Sequence, residues 1–348
     1  MKNKSFGFGI IGTGAIAHVH AQALSTIAEA QLLGVFNRTA ERASAFAANH
    51  GCLAFTTLED FLADKNIDVV CICSASGAHL DAALACIEAG KHCLIEKPLE
   101  ITTERCMRII DAAEKKGVKI GTVFHSRFYP ASQQLKNALD RDRFGTLVIG
   151  SAYVKWSREE AYYASAAWRG TWDLDGGGAL MNQGIHAVDI LQWYMGPVLS
   201  VQAKMANRRH TTIDVEDTVV ANLTFANGAL GSIECTTAAH PGTLKRIEIV
   251  GTKGTAVLEE ERLTTWQFKH PEEVDNATLN TITPQSNGGA SDPMQIAHTG
   301  HILQIKDFIN AIIHHRPPQV DGREGLKSVA IIRAIYESAR TDKTVFVK

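Results

Sequence analysis

Aromatic residues make up only 7% of this 348-residue chain, and 35 basic side chains set against 37 acidic ones leave a net charge of −2. So even a balance creates no long-range field toward nucleic acid or an anionic membrane, and both are set aside as partners. No apolar run approaches the roughly 18 residues that cross a bilayer. The apolar opening from Phe6 to Ile11 is too short for a secretory h-region and is interrupted by glycines. The seven cysteines are odd in number, lie mostly in apolar runs and lack a metal-knuckle spacing. Buried free thiols in a reducing compartment follow, so the chain reads as cytoplasmic. There is also no internal repeat and no low-complexity segment.

What is present is a full core. Hydrophobic residues make up 45% of the chain and charged residues 21%, and the length suggests two domains at roughly 150 residues each. Residues 1–123 alternate strand and helix. Strands are expected at Phe6 to Ile11, Gln31 to Phe36, Ile67 to Cys73, His92 to Ile95 and Val118 to Val123, with helices between them. Near-continuous apolar strands in this rhythm predict a doubly wound parallel α/β sheet of the Rossmann type. Over residues 124–348 the strands follow one another through short turns, Asn227-Gly228 among them, which predicts an α+β domain with an open, mainly antiparallel sheet. The polar stretch from His270 to Pro293 reads as a surface loop, and helices are expected at Gly300 to His314 and Gly325 to Ala339.

Gly12-Thr13-Gly14-Ala15-Ile16-Ala17 sits between the first strand and the first helix. Gly12 permits the tight turn, Gly14 lets a pyrophosphate approach the backbone and Ala17 lets the helix pack closely. Gly14, Ala15 and Ile16 then place N–H groups at a helix N-terminus, where anions are favoured. The end of the second strand lacks the acidic residue that binds the adenosine ribose of NAD, and carries Asn37 and Arg38 instead. Without a carboxylate to repel it, a 2′-phosphate can pair with Arg38, which tilts the reading toward NADP. Asn37 can equally bind a ribose hydroxyl, with Arg38 over the adenine, so NAD stays open. Ser74 and His79 follow one parallel strand and Glu96-Lys97-Pro98 the next, at the edge where such sheets bind ligands. Ser74, His79, Glu96 and Lys97 are assigned to the cofactor, with His79 equally able to open the next helix. Lys97 is placed to reach the nicotinamide end.

The second motif follows three glycines, Gly176-Gly177-Gly178. Beyond them Asn182, His186 and Asp189 share helical spacing on an otherwise apolar segment. Polar groups on a buried helix must find partners, because an unpaired one costs about 1–3 kcal/mol. A lone helical histidine is more often structural than catalytic, but His186 stands in polar company. Asp189 reads either as a structural partner of the helix or as the group that fixes the imidazole tautomer. Between Tyr153 and Asp175 aromatics concentrate: Tyr153, Trp156, Tyr162, Tyr163, Trp168 and Trp172. Such faces stack on sugar C–H faces, and Arg127, Arg158 and Arg169 suit hydroxyls, a carboxylate or a phosphate. The alternative is an aromatic minor core or a subunit contact. Tyr129 and His301 are further candidates.

Taken in order along the chain, these motifs resemble the Gfo/Idh/MocA family of sugar and cyclitol oxidoreductases. The resemblance extends through Asp321-Gly322-Arg323-Glu324-Gly325 and Tyr336-Glu337-Ser338-Ala339-Arg340. It implies a Rossmann domain and a second domain whose open sheet often forms a homodimer or homotetramer, with Lys97 and His186 catalytic. In many members the position of Asn182 is an aspartate, so this chain departs there. Trp168-Arg169-Gly170-Thr171-Trp172, Asn182-Gln183, Val215-Glu216-Asp217-Thr218 and Gly300-His301 are similar to the branch of UDP-N-acetylglucosaminuronate 3-dehydrogenases and glycoside dehydrogenases. That branch implies oxidation at C3 of a pyranose, and Lys97, Arg127, Tyr153, Trp168, Arg169, Asn182, His186 and His301 together are the residues expected at the sugar. His186 suits the base, since an imidazole titrates near pH 6.5, and Lys97 suits the donor to a developing alkoxide, although the two roles can be exchanged. Two other classes stay open: a glycosidase that keeps its nicotinamide and shows no net redox, and a cofactor-binding regulator without catalysis. No metal is expected.

Overall fold

Six strands form a single parallel sheet in the order β3-β2-β1-β4-β5-β6. They are β1 (Phe6–Ile11), β2 (Ala30–Phe36), β3 (Leu53–Phe55), β4 (Val69–Ile72), β5 (His92–Ile95) and β6 (Ile120–Thr122). β1 and β4 are buried throughout, as their unbroken apolar sequence requires of strands covered on both faces. The computed structural model describes residues 5–273, 275 and 298–348. Most of the expected loop from His270 to Pro293 lies outside the described residues.

Helices α1 (Ala15–Ser25), α2 (Ala40–His50), α3 (Leu58–Ala63), α4 (His79–Glu88) and α5 (Thr103–Lys116) connect these strands. The chain itself marks where α5 starts and stops. Thr102 caps its first turn by accepting from Arg105 N, Glu104 and Lys115–Lys116 match the helix dipole at its two ends, and Gly117 ends it in the left-handed conformation.

The described residues divide into two compact units. Those up to His125 join His298–Leu326, and Ser126 onward joins Lys327–Lys348. The expected division into 1–123 and 124–348 therefore needs a correction: His298–Leu326 belongs with the first unit. The reason is apolar burial. Ile305, Phe308 and Ile309 of the helix Thr299–Ile313 enter the same core cluster as Phe8, Ile10, Ala17 and Leu24. Gln304 Nε2 also donates to Thr122 O at 2.7 Å.

The second unit is built on an eight-stranded sheet in the order β13-β12-β11-β7-β10-β9-β8-β14. Its strands are β7 (Leu147–Lys155), β8 (Val198–Ala206), β9 (Thr218–Phe225), β10 (Leu230–Thr236), β11 (Arg246–Gly251), β12 (Gly254–Glu259), β13 (Arg262–Phe268) and β14 (Val345–Phe346). Among the described strands of this sheet, only β7 and β10 pair in parallel. Helices α6 (Pro130–Asp140), α7 (Glu160–Ala164) and α8 (Ile185–Met195) accompany it. α8 packs on β7, where Gly150 leaves room for the Met195 side chain. The opposite face of the sheet carries Ile149 and Tyr153 of β7 in register with Leu230 and Glu234 of β10.

Candidate functional site

In the first unit the turn after β1 is shaped for a phosphate. Gly12 has a φ of +99°, and a Cβ there would lie 2.6 Å from the Cys73 carbonyl oxygen, so only glycine fits. Gly14 is the N-cap of α1, where no side chain caps the helix. A Cβ added to Gly14 would meet nothing within 4 Å, and both Gly14 and Ala15 are exposed. Ile16 is half-buried in the same turn. The uncapped N–H groups of α1 thus open on a cradle that suits a dinucleotide pyrophosphate. Ser74 faces the same chemistry with a buried hydroxyl that has no hydrogen-bond partner among the described residues. These features fit a nicotinamide dinucleotide.

At the end of β2, Asn37 Nδ2 donates to Thr13 Oγ1 at 2.9 Å and its Oδ1 accepts from Thr39 N at 2.9 Å. The amide is held by the loop itself, whereas Arg38 is exposed and available to a phosphate. Two residues assigned to the cofactor turn inward. His79 is buried, with Nδ1 2.9 Å from Pro98 O and Nε2 3.2 Å from Ser74 O, so it holds the loops after β4 and β5 together. Glu96 is buried, with Oε1 2.8 Å from His20 Nε2, and its Oε2 accepts from Lys97 N at 3.2 Å. Burial alone would raise the Glu96 carboxyl. The His20 hydrogen bond and the charges of His20, His301 and Lys97 outweigh it and hold the group below the usual range. Lys97, half-buried, therefore leaves β5 from an anchored backbone.

His301, assigned to the sugar, lies in this cluster. It is 1% exposed, edge-on to His20 and stacked on His125 with ring centroids 4.5 Å apart. The structure places it, expected at the sugar, in a buried histidine cluster beside Glu96. His20, Glu96 and His301 bring ligand-type atoms within 4.8 Å of one another, a spacing that can hold a cation, but the His20–Glu96 hydrogen bond already accounts for the closest approach.

In the second unit, residues Ala179–Gly184 form a π-helix that continues directly into α8. From Ala179 to Gln192 every residue is buried except Asn182 and His186. The predicted pair is thus the accessible edge of an otherwise apolar segment. Such wider turns are rare and recur at functional sites. Glu216 builds this one. Its carboxylate accepts from Gly178 N at 2.8 Å, Leu180 N at 2.9 Å and the Tyr336 hydroxyl at 3.0 Å, and its carbonyl accepts from Ala179 N at 3.0 Å. A Cβ on Gly178 would sit 1.8 Å from that carbonyl oxygen, which explains the glycine. Burial pushes the Glu216 carboxyl up to about 7 despite these donors.

Asp189 does not share the accessible edge. It is fully buried and accepts from Arg127 Nε at 2.8 Å and Nη2 at 2.6 Å. Ser328 Oγ donates to it as well, at 3.3 Å. This corrects Arg127, which is 1% exposed and forms a bidentate pair instead of binding sugar. It also resolves Asp189 as a structural partner. Tyr153 needs a correction of a different kind. Ala152 and Val154 are buried on the α8 side of β7, and strand alternation puts Tyr153 on the other face, away from His186.

Trp168 and Arg169, expected at the sugar, lie on the loop leading to the glycine turn. The Arg169 guanidinium lies 4.7 Å from the Trp168 ring centroid and 4.4 Å from that of Tyr162. The Tyr162 hydroxyl accepts from Arg169 Nη1 at 2.6 Å and from Gln183 Nε2 at 2.9 Å, which ties the aromatic loop to the residue after Asn182. Asn182 Nδ2 donates to Asp175 Oδ1 at 2.6 Å. Sequence reasoning missed Asp175 because it precedes Asn182 by seven residues, across three glycines and outside any helical register. Glu216 was met only inside the Val215-Glu216-Asp217-Thr218 motif, and its part in shaping the wider turn was not assigned, although two adjacent acids opening an apolar strand were a visible signal.

Residues 6–124 match the oxidoreductase family with an NAD-binding Rossmann fold, and residues 132–257 match the GFO/IDH/MocA C-terminal domain. Among solved structures, the WlbA dehydrogenase from Bordetella pertussis, in complex with NADH and UDP-GlcNAcA, is 34% identical with a TM-score of 0.89, covering 99% of both chains. An oxidoreductase of Bacillus subtilis, YrbE, is 30% identical over 95% of this chain and 93% of its own. Myo-inositol 2-dehydrogenase from Thermotoga maritima is 26% identical over 97% of both.

Proposed function

The chain belongs to the Gfo/Idh/MocA oxidoreductase family, and from that premise we propose that it moves a hydride between a nicotinamide dinucleotide and a secondary alcohol or ketone of a sugar, glycoside or sugar acid, at C3 of a pyranose. The observation that carries this reading is the accessible edge formed by Asn182 and His186 on a buried helical segment, beside an aromatic loop with Trp168 and Arg169. The WlbA likeness supports a sugar acid.

When bound, the nicotinamide supplies the hydride acceptor or donor. Gly12, Gly14, Ala15, Ile16 and Ser74 hold its dinucleotide, with Arg38 on the adenosine side. The His186 imidazole takes the hydroxyl proton. The Lys97 ammonium, a compact localised charge, stabilises the developing alkoxide. Asn182 orients the substrate hydroxyls. Exposed Arg38 and the missing carboxylate give NADP a small preference over NAD. A second copy of the chain covers the open face of the eight-stranded sheet, where Ile149, Val220 and Leu230 are exposed.

The test is a screen of pyranosides and uronic acids with NAD and NADP, read at the nicotinamide absorbance. Net reduced cofactor is expected, with kcat/KM higher for NADP. Lys97→Ala should lower kcat roughly 100- to 10,000-fold. Equal rates for wild type and Lys97→Ala would sink the mechanism, and free sugar released without net reduced cofactor would point to a glycosidase on this scaffold.

A further inference from the structure

A buried carboxylate, that of Asp175, stands one hydrogen bond behind Asn182. Asp175 is 2% exposed. Its Oδ2 accepts from Gly170 N at 3.0 Å and its Oδ1 accepts from Asn182 Nδ2 at 2.6 Å. The carboxylate is held in place by the turn that carries it. Asp175 N donates to Thr171 O at 3.2 Å, and Gly176 and Gly177 leave the turn at φ of +79° and +157°. Its charge also reaches Tyr162, the tyrosine that gathers Arg169 and Gln183.

An ionised carboxylate only accepts hydrogen bonds. Its presence therefore decides which way the Asn182 amide points. Nδ2 is given to Asp175, so the amide keeps its oxygen, Oδ1, as its accepting atom. We propose that Asp175 is a positioning residue for the reaction: it fixes the Asn182 amide as an acceptor for a substrate hydroxyl and keeps one negative charge beside the accessible edge of the helix. This rests on the sugar oxidoreductase reading above. Asp175 acts through Asn182 and exchanges no proton with substrate.

The charge-swapped pair tests it. Asp175→Asn removes the fixing charge, and a 10- to 100-fold loss in kcat with nearly unchanged KM for the cofactor is expected. Asn182→Asp places two carboxylates within 2.6 Å of each other, which forces one to hold a proton and adds a new titration to the pH–rate profile. The double variant Asp175→Asn/Asn182→Asp has a single carboxylate again and should recover to within about 10-fold of wild type, without the extra titration. In the wild-type protein the Asn182 side-chain amide should also give a downfield NMR pair, protected from exchange, that Asp175→Asn abolishes. If Asp175→Asn folds poorly, the comparison of Asn182→Asp with the double variant decides alone. Wild-type kcat and pH profile in Asp175→Asn, a double variant no better than the worse single one, or an Asn182 amide insensitive to Asp175 would each overturn the proposal. A wild-type chain that turns over no sugar with either cofactor overturns the functional reading and this role with it, whereas turnover without the swap pattern overturns this role only.

Discussion

At the level of the residue, the Arg127–Asp189 pair shows how a side chain suited to anion binding is put to another use. Both groups are buried, and the guanidinium meets the carboxylate with two parallel hydrogen bonds. Removing one partner strands the other charge in a dry interior. Arg127→Ala should destabilise the protein by about 3–5 kcal/mol in urea unfolding, while replacing both partners with apolar residues of similar volume should cost far less. A loss under about 1 kcal/mol for the single variant would show that the pair is not what holds this region. None of this was visible in the sequence, because 62 residues separate the partners and no periodicity links them. The alternation around Tyr153, by contrast, was visible. Ala152 and Val154 form the apolar side of β7, and Tyr153 falls between them.

At the level of the element, the helical segment 179–195 carries both the success and the error of the sequence reading. Asn182 and His186 were found by their spacing on an apolar segment, and the structure leaves those two accessible. Asp189 was grouped with them by its spacing of three from His186 within α8, but its carboxylate is buried against Arg127. Glu216 organises the wider turns that open the segment, and its raised carboxyl gives them a pH dependence. In the folded protein it binds its proton up to about 7, against an ordinary value of 4.5. The native state therefore holds more protons than the unfolded one across that window, and this group's contribution to stability falls as pH rises from about 4.5 to 7. Glu216→Gln should flatten that part of the profile in urea unfolding at pH 5, 6, 7 and 8. Parallel wild-type and variant curves would refute it. The cofactor turn, unlike the π-helix, was legible in full, because its glycine pattern acts locally. Gly12 and Gly14 are explained by a neighbouring carbonyl and by open space, within a strand–turn–helix unit that the apolar runs already defined.

For the whole molecule, the exposed sheet face bears on assembly. Val220 and Leu230 stand on it at 49% and 58% exposure, in register with Glu234 and Ile149 of the neighbouring strands. Val220→Glu combined with Leu230→Glu should shift the mass measured by light scattering toward a single chain, with the circular dichroism unchanged. An unchanged mass would place any association elsewhere. The α/β and α+β classes followed from strand rhythm alone. The division of the chain did not, because the return of His298–Leu326 to the first unit depends on burial partners that no local pattern announces.

That return limits how the protein can be taken apart. A fragment ending at residue 125 keeps all six strands of the first sheet and the whole glycine turn, yet it lacks Ile305, Phe308 and Ile309 from its own core. Such a piece would carry an uncovered apolar strip and tend to aggregate. Grafting the cofactor half onto a different substrate half would therefore require two separate stretches of the gene, moved together.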